Sequence, residues 1–279
     1  MIPRAVVVVG AGRVGQSLAR ALLHMQEPVR LLGRSARPAT DTLPAVEVEW
    51  EAALASATLV LLAVADDALP PVVLRVAASR AVRPGTVVLH TSGRHDRSVL
   101  ESLAVLGAVT GSWHPLQSIP AASDAAAFAG APAILEGEVA AVAAGRALAG
   151  QLRMAPILEL PAAGKGRYHA AAVFAANYLV VLTEIAERLA RDAGAGDASR
   201  GLFLPIMRQV LANLEAGAPA GALTGPVRRG DTGTVSAHLA TLSGPDRAIY
   251  LLLAREALEL AARAGLSSEQ VEAMRETLK

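Results

Sequence analysis

Lys165 is set apart by residue type. The chain carries 26 lysines and arginines, and only Lys165 and Lys279 are lysine. An ammonium can shed its proton to a developing alkoxide, which a guanidinium effectively cannot. A lone interior lysine therefore suggests a general acid, although one lysine escaping an arginine-rich drift would look the same. His169 lies four residues on and shares its helix face, so lysine and histidine are both candidate proton donors. Ala172 and Ala176 continue that face with small side chains. Asn177 sits about 80° around the helix from His169 and would reach only the flank of such a site.

Two further segments could handle a substrate. In Trp113-His114-Pro115-Leu116-Gln117, proline restricts the residue before it and would fix the His114 imidazole at a sharp exit from a strand. Leu223-Thr224-Gly225-Pro226-Val227-Arg228-Arg229-Gly230-Asp231 is the densest polar cluster of the second half, with Thr234 and His238 following. Its arginines suit a carboxylate, Arg229 being the candidate ligand and Asp231 either its orienter or a helix cap. A solvated loop would have the same composition.

Gly10-Ala11-Gly12-Arg13-Val14-Gly15 follows the apolar run Ala5–Val9 and opens a helical pattern. The spacing Gly-x-Gly-x-x-Gly is weak alone but has the required strand before it and helix after it. Gly10 permits a tight turn, Gly12 lets backbone approach a pyrophosphate, and Gly15 allows close helix–strand packing. A helix N-terminus there favours an anion. At the end of the second strand Gly33-Arg34-Ser35-Ala36-Arg37 offers no acid for a ribose 2′-hydroxyl. Arg34 and Ser35 suit a 2′-phosphate instead, which favours NADP over NAD. Ala65 and Asp66 end the fourth strand and Thr91 and Ser92 the fifth, placing them at the sheet edge where ligands of doubly wound folds lie. Asp66 serves equally well as a helix cap, and the two hydroxyls as turn formers.

These residues need a scaffold, and the patterning supplies one. Apolar runs at Ala5–Val9, Val29–Leu32, Val46–Trp50, Leu59–Val64, Thr86–His90, Ala108–Ser112, Ala133–Leu135 and Pro156–Leu158 alternate with helical patterns such as Arg13–His24, Ala68–Ala78, Ser98–Leu106 and Val139–Leu152. That alternation predicts βαβ units and an α/β fold with a mostly parallel sheet. After Pro161 the chain turns helical throughout, which divides it into residues 1–161 and 162–279. The last helix opens with a capping-box spacing from Ser267 to Gln270.

Composition narrows the function classes. The chain has 279 residues, no cysteine and a formal net charge of +1. Cysteine-based nucleophiles, zinc sites, iron–sulfur clusters and disulfide frameworks are excluded, and no metal site is expected. Near-neutral charge argues against nucleic acid or a membrane surface as partner. Met1–Arg4 and the valine run after them are too short for a signal-peptide core. The apolar stretch Ala170–Thr183 is shorter than a bilayer span and reads as a buried helix of a cytoplasmic protein.

The glycine motif, His114-Pro115-Leu116-Gln117, the Tyr168-His169 to Asn177 helix and the Thr224-Gly225-Pro226…Arg229-Gly230-Asp231…Thr234…His238 segment together resemble one group. It comprises bacterial Rossmann-like oxidoreductases with an uncharacterised all-helical C-terminal domain, including alternative ketopantoate reductases. More distantly the layout is similar to pyrroline-5-carboxylate, β-hydroxyacid and imine reductases, which often carry lysine and, four residues on, asparagine. Here His169 stands in the asparagine position. The resemblance implies a Rossmann doubly wound sheet followed by an all-α domain that substrate and a second copy of the chain would share, giving a homodimer. It implies an NADPH-dependent reductase of a small carbonyl acid, 2-dehydropantoate foremost. The alternatives are an imine reductase of the pyrroline-5-carboxylate or opine type and a non-catalytic NADP-binding regulator.

Overall fold

The computed structural model describes residues 5–119 and 125–279, so the reading of Met1–Arg4 lies outside the described residues. The chain divides into two compact units, Met1–Asn177 and Tyr178–Lys279.

The first unit is built on one eight-stranded sheet of order β3-β2-β1-β4-β5-β6-β7-β8. The strands are β1 (Val6–Val9), β2 (Val29–Leu32), β3 (Val46–Glu47), β4 (Leu59–Leu62), β5 (Val87–His90), β6 (Val109–Pro115), β7 (Ala133–Gly137) and β8 (Ile157–Glu159). Neighbours pair in parallel except β6 with β7. Helices α1 (Arg13–His24), α2 (Glu51–Ser56), α3 (Leu69–Ser79), α4 (Glu101–Ala104) and α5 (Val139–Gln151) connect them. The chain reverses its direction of growth between β1 and β4, the position where open α/β sheets bind ligands.

Four consecutive valines make β1 because both of its faces are covered. Val6 and Val8 pack with Leu18, Leu22, Leu61 and Trp113 on one face. Val7 and Val9 pack with Leu54, Val60, Leu62 and Val73 on the other. Alternation with a period of two sends successive side chains to opposite layers, and each buried valine or leucine contributes about 1.5–3 kcal/mol.

All eight expected strands are present, with shifts at their ends. The Val46–Trp50 run pairs only over Val46–Glu47. Trp50 instead leads into α2, its indole N–H donating to the Gly33 carbonyl while the Arg75 guanidinium lies 3.7 Å over the ring. Helix α2 has no counterpart among the expected elements. The Ser98–Leu106 pattern begins as a 3₁₀ turn at Arg97–Leu100 before α4, with Asp96 capping it through the Ser98 N–H.

The first unit continues past Pro161 through α6 (Lys165–Ala172) and a π-helical turn at Val173–Asn177. Secondary structure changes at Pro161, whereas packing follows Lys165, whose side chain is buried against the sheet edge.

The second unit is helical throughout its described residues: α7 (Tyr178–Ala190), α8 (Leu204–Ala216), α9 (Pro219–Ala222), α10 (Pro226–Arg229), α11 (Thr232–Thr241), α12 (Gly244–Arg263) and α13 (Ser268–Thr277). Val227, Val235, Leu258 and Met274 form its small core. The capping box forms: the Gln270 N–H donates to Ser267 Oγ, and the Ser267 N–H donates back to Gln270 Oε1.

The expectation that Ala170–Thr183 is buried is not met. Phe174 is 70% exposed and Val180 likewise 70%, and Tyr178, Leu179, Val181 and Leu182 are exposed too. The helical stretch Ala162–Ser199 has the length and apolar composition of a membrane span. The apolar character of residues 179–182 therefore does not come from a buried core position.

Candidate active site

The end of β5 and the start of α6 bring the chemistry together. Lys165, 1% exposed, donates from Nζ to the Ser92 carbonyl at 3.0 Å and to Ser112 Oγ at 2.8 Å. An ammonium has three N–H groups, so one remains for an incoming acceptor. Both oxygens are neutral, and among the described residues no carboxylate lies within ion-pair distance of Lys165. Burial accordingly lowers its pKa from 10.5 to about 8, against the opposing pull of Glu136, Asp96 and Asp66.

The His90 ring fixes the loop above it. Its Nδ1 accepts from the Ser92 N–H at 3.2 Å, so the proton lies on Nε2, which donates to the Asp96 carbonyl at 3.2 Å. That arrangement is a neutral imidazole. Burial, helped by the Lys165 charge, depresses its pKa to about 3. Ser92 Oγ accepts from the backbone N–H groups of Arg94 and His95 and closes the turn. The Thr91 hydroxyl donates to the Leu62 carbonyl at the end of β4. Both hydroxyls thus hold the loop at the sheet edge.

A second cluster adjoins it. His114 Nδ1 and the Tyr168 hydroxyl share a hydrogen bond of 2.9 Å. Burial and the nearby Lys165 charge bring the His114 pKa down to about 4, and burial pushes the Tyr168 phenol up to about 12. The His169 ring stands edge-on to that of His114, with its Nδ1 buried and without a hydrogen-bond partner. Gly93 passes between the two rings. A Cβ there would come within 2.6 Å of His169 Nδ1 and 2.9 Å of His114 Nε2. From sequence, Gly93 reads only as one of four small or polar residues, His90 to Gly93, at the sheet edge. The requirement for glycine comes from two rings distant in the chain, His114 on β6 and His169 on α6.

His114 does not sit at an exit from the strand. Strand β6 runs through it to Pro115, and His114 pairs with Ile134 of β7. Proline is tolerated because it is the last residue of the pairing. Lys165 and His169 do converge, on Ser92 and Gly93 respectively. Asn177 is exposed at the end of the π-helical turn, and the structure gives it no bond to this cluster.

At the glycine motif, Gly10 has φ +115°, a conformation that strongly favours glycine. A Cβ on Gly15 would lie 1.8 Å from the Gly10 carbonyl oxygen, whereas one on Gly12 would meet nothing within 4 Å. No side chain caps the first turn of α1, where Arg13 is exposed, Ala11 and Val14 are half-buried and Gly12 opens the helix. Free N–H groups beneath an open glycine suit a pyrophosphate. Arg34 and Ser35 are exposed just after β2. Ala65 precedes a 3₁₀ turn beginning at Asp66, which is half-buried and makes no side-chain cap there.

In the second unit, Asp231 is the N-cap of α11, accepting from the Thr234 N–H and hydroxyl. This realises the helix-cap alternative. Arg229 is exposed in the last turn of α10, and its carbonyl accepts from Gln270 Nε2. His238 Nδ1 bonds the Tyr250 hydroxyl at 2.9 Å.

Comparison with known proteins agrees with this layout. Residues 3–115 match a model of a Rossmann-like domain, and residues 131–257 match a domain of unknown function, DUF2520. No curated protein matches the chain by sequence. A protein assigned as an NADP oxidoreductase from Bacteroides fragilis is similar in fold, with TM-score 0.72 at 21% identity over 91% of this chain and 97% of that one. The V8 variant of an imine reductase from Myxococcus stipitatus, solved with NAD+, has TM-score 0.61 at 17% identity over 100% of both chains. A reductive aminase from Aspergillus terreus, solved with NADPH4, cyclohexanone and allyl amine, has TM-score 0.57 at 16% identity over 99% of this chain and 92% of its own. The chain is an α/β unit with a mostly parallel sheet followed by a helical unit, a fold it shares with these solved proteins, and its stretches 3–115 and 131–257 are similar to the two domain models.

Proposed function

We propose that this protein is an NADPH-dependent reductase of small carbonyl compounds in which Lys165 protonates the oxygen formed as the carbonyl is reduced. The observation that carries this reading is the Lys165 ammonium, buried at the carboxyl edge of the sheet with one N–H uncommitted. Exclusion of water strengthens its interaction with a developing alkoxide.

The residues present fit a nicotinamide dinucleotide. Gly10, Ala11, Gly12, Arg13, Val14 and Gly15 would hold the pyrophosphate over the uncapped start of α1. Arg34 and Ser35 would take a 2′-phosphate, which the absence of an acid at the end of β2 favours. Ala65, Asp66, Thr91 and Ser92 edge the nicotinamide end. NADPH, when bound, supplies the hydride, and several of the structural neighbours were solved with NADPH or NADP+. His114 and His169, backed by Tyr168, would orient the substrate beside Lys165. The leading substrate is a 2-oxo acid, 2-dehydropantoate.

Reduction of an imine is the second reading, favoured by the imine reductases among the structural neighbours. An iminium already carries its proton, so it needs no strong acid. NADPH oxidation with 2-dehydropantoate and with pyrroline-5-carboxylate, alongside NADH controls, separates the two. The carbonyl reading expects turnover of the oxo acid with NADPH and its loss in Lys165→Met. Equal turnover of the imine by parent and variant would replace it with the imine reading. Saturable NADPH binding without any turnover would point to a regulator.

A homodimer accompanies this reading. The supporting observation is that Leu179, Val180, Ile206 and Leu211 of α7 and α8 are 39, 70, 63 and 49% exposed, and exposed apolar side chains grouped together mark interaction surfaces.

A further inference from the structure

A buried ammonium bonded only to neutral oxygens needs a counter-charge nearby, or it surrenders its proton. Lys165 is in that position, since Ser92 O and Ser112 Oγ are its acceptors. The charged and titratable groups around it are Asp66 after β4, His90 on β5, Asp96 in the following loop, His114 on β6 and Glu136 on β7. His90 and His114 are neutral at pH 7, and so contribute no opposing charge there. Asp96 is occupied as the cap of the Arg97–Leu100 turn.

Glu136 is different. It is 4% exposed, and the bond recorded for its carboxylate is from the Arg97 backbone N–H at 2.8 Å. The Arg97 guanidinium turns to Glu138 instead, at 3.7 Å. Glu136 pairs directly with Ser112 across the antiparallel β6–β7 ladder. Residues opposed in this way project from the same face of the sheet. Ser112 in turn pairs with His90 on β5, so His90, Ser112 and Glu136 form one polar row across three strands. Lys165 docks onto the middle of that row. A buried ammonium and a buried carboxyl group thus stand on either side of one serine, and among the described residues neither makes a direct ion pair.

We propose that Glu136 is the positioning group that keeps the Lys165 ammonium charged, acting across Ser112 without touching substrate. The inference deepens the reductase reading and rests on it for its relevance to turnover. Burial raises the carboxyl pKa of Glu136, while the Lys165 charge and the Arg97 N–H oppose that rise. The same coupling, seen from Lys165, is the foremost influence holding its proton against burial.

Two lysines in the chain make the test direct. With lysine labelled by ¹³C at Cε, the protein gives two titrating signals, and Lys279→Arg assigns them. In the unliganded protein, Glu136→Gln is expected to lower the Lys165 midpoint by about one pH unit or more, as loss of a nearby opposite charge does. Glu138→Gln, a neighbouring charge bonded to Thr110, leaves the midpoint in place. Glu136→Asp keeps the charge one methylene further back and gives a smaller drop, and it provides the reading if Glu136→Gln does not fold. A midpoint unchanged in a folded Glu136 variant would overturn the inference. The basic limb of kcat/KM should move with the midpoint. A moved midpoint with an unmoved limb would leave Glu136 as the partner of Lys165 and remove Lys165 as the acid.

Discussion

A buried lysine and a glycine between two imidazoles set the chemistry at the scale of single residues. Lys165→Met fills the same volume without a charge. It is expected to lower kcat for carbonyl reduction by about 10²–10⁴-fold, the usual worth of a positioned acid. NADPH affinity, read by fluorescence titration, should stay within about twofold, because Lys165 acts on the substrate. Lys165→Arg keeps the charge but not a transferable proton and should be nearly as inactive. At Gly93 the backbone is unstrained, so a substitution there acts through packing alone. Gly93→Ala places its methyl against His169 Nδ1 and His114 Nε2. It is expected to cost about 1–3 kcal/mol by overpacking and to raise the KM for substrate as the two rings separate. A melting temperature and KM equal to those of the parent would remove the two histidines from the site.

The glycine motif makes a sharper pair of predictions at the scale of the element. Gly12 and Gly15 are three residues apart in the same turn, yet they answer different needs. Gly15→Ala drives a methyl into the Gly10 carbonyl and should destabilise the β1–α1 unit by about 3 kcal/mol or more. In Gly12→Ala the methyl meets no protein atom. Its melting temperature should match the parent, while NADPH binding weakens at least about tenfold through contact with the pyrophosphate. A Gly12→Ala protein that binds NADPH normally would leave the motif a packing device only.

Elements were also the most legible level of the sequence. Strand runs such as Val6–Val9 and Leu59–Leu62 are short and wholly apolar, as strands buried on both faces of a parallel sheet are. Helix α2 was hidden because six residues carry barely two turns of periodicity, and because Trp50 reads as a strand residue until its indole is seen to bond Gly33. For the site, Lys165 and His169 were legible from type and helical spacing. Glu136 was not. Its link to Lys165 depends on the register between β6 and β7, a pairing that no local pattern encodes. Asn177, which ordinary helical spacing already places on the flank of the His169 face, is exposed at the end of the π-helical turn Val173–Asn177.

Over the whole molecule, two properties remain to be measured. The exposed apolar residues of α7 and α8 predict a homodimer by sedimentation in detergent-free buffer, and Val180→Glu with Ile206→Glu should yield monomer. A parent that sediments as monomer, or that needs detergent to remain in solution, would contradict this. Stability should also fall with acid before the carboxylates titrate. The folded-state pKa values of His90 and His114 lie near 3 and 4 against 6.5 for a free imidazole, so the unfolded chain binds more protons below pH 6.5. The stabilisation is then complete above pH 6.5 and is lost as pH falls toward the folded values. Urea midpoints at pH 7 and pH 5 check this, and equal midpoints would mean that neither imidazole is buried neutral.

The most direct test of the account is the pH dependence of kcat/KM for NADPH-dependent reduction of a 2-oxo acid, 2-dehydropantoate first. With Lys165 as the acid, the rate is level through neutrality and falls tenfold per unit above pH about 8, where the ammonium loses its proton. In Lys165→Met that limb disappears along with most of the activity. A parent profile flat to pH 10, or a variant as active as the parent, would contradict the assignment of Lys165 as the proton donor.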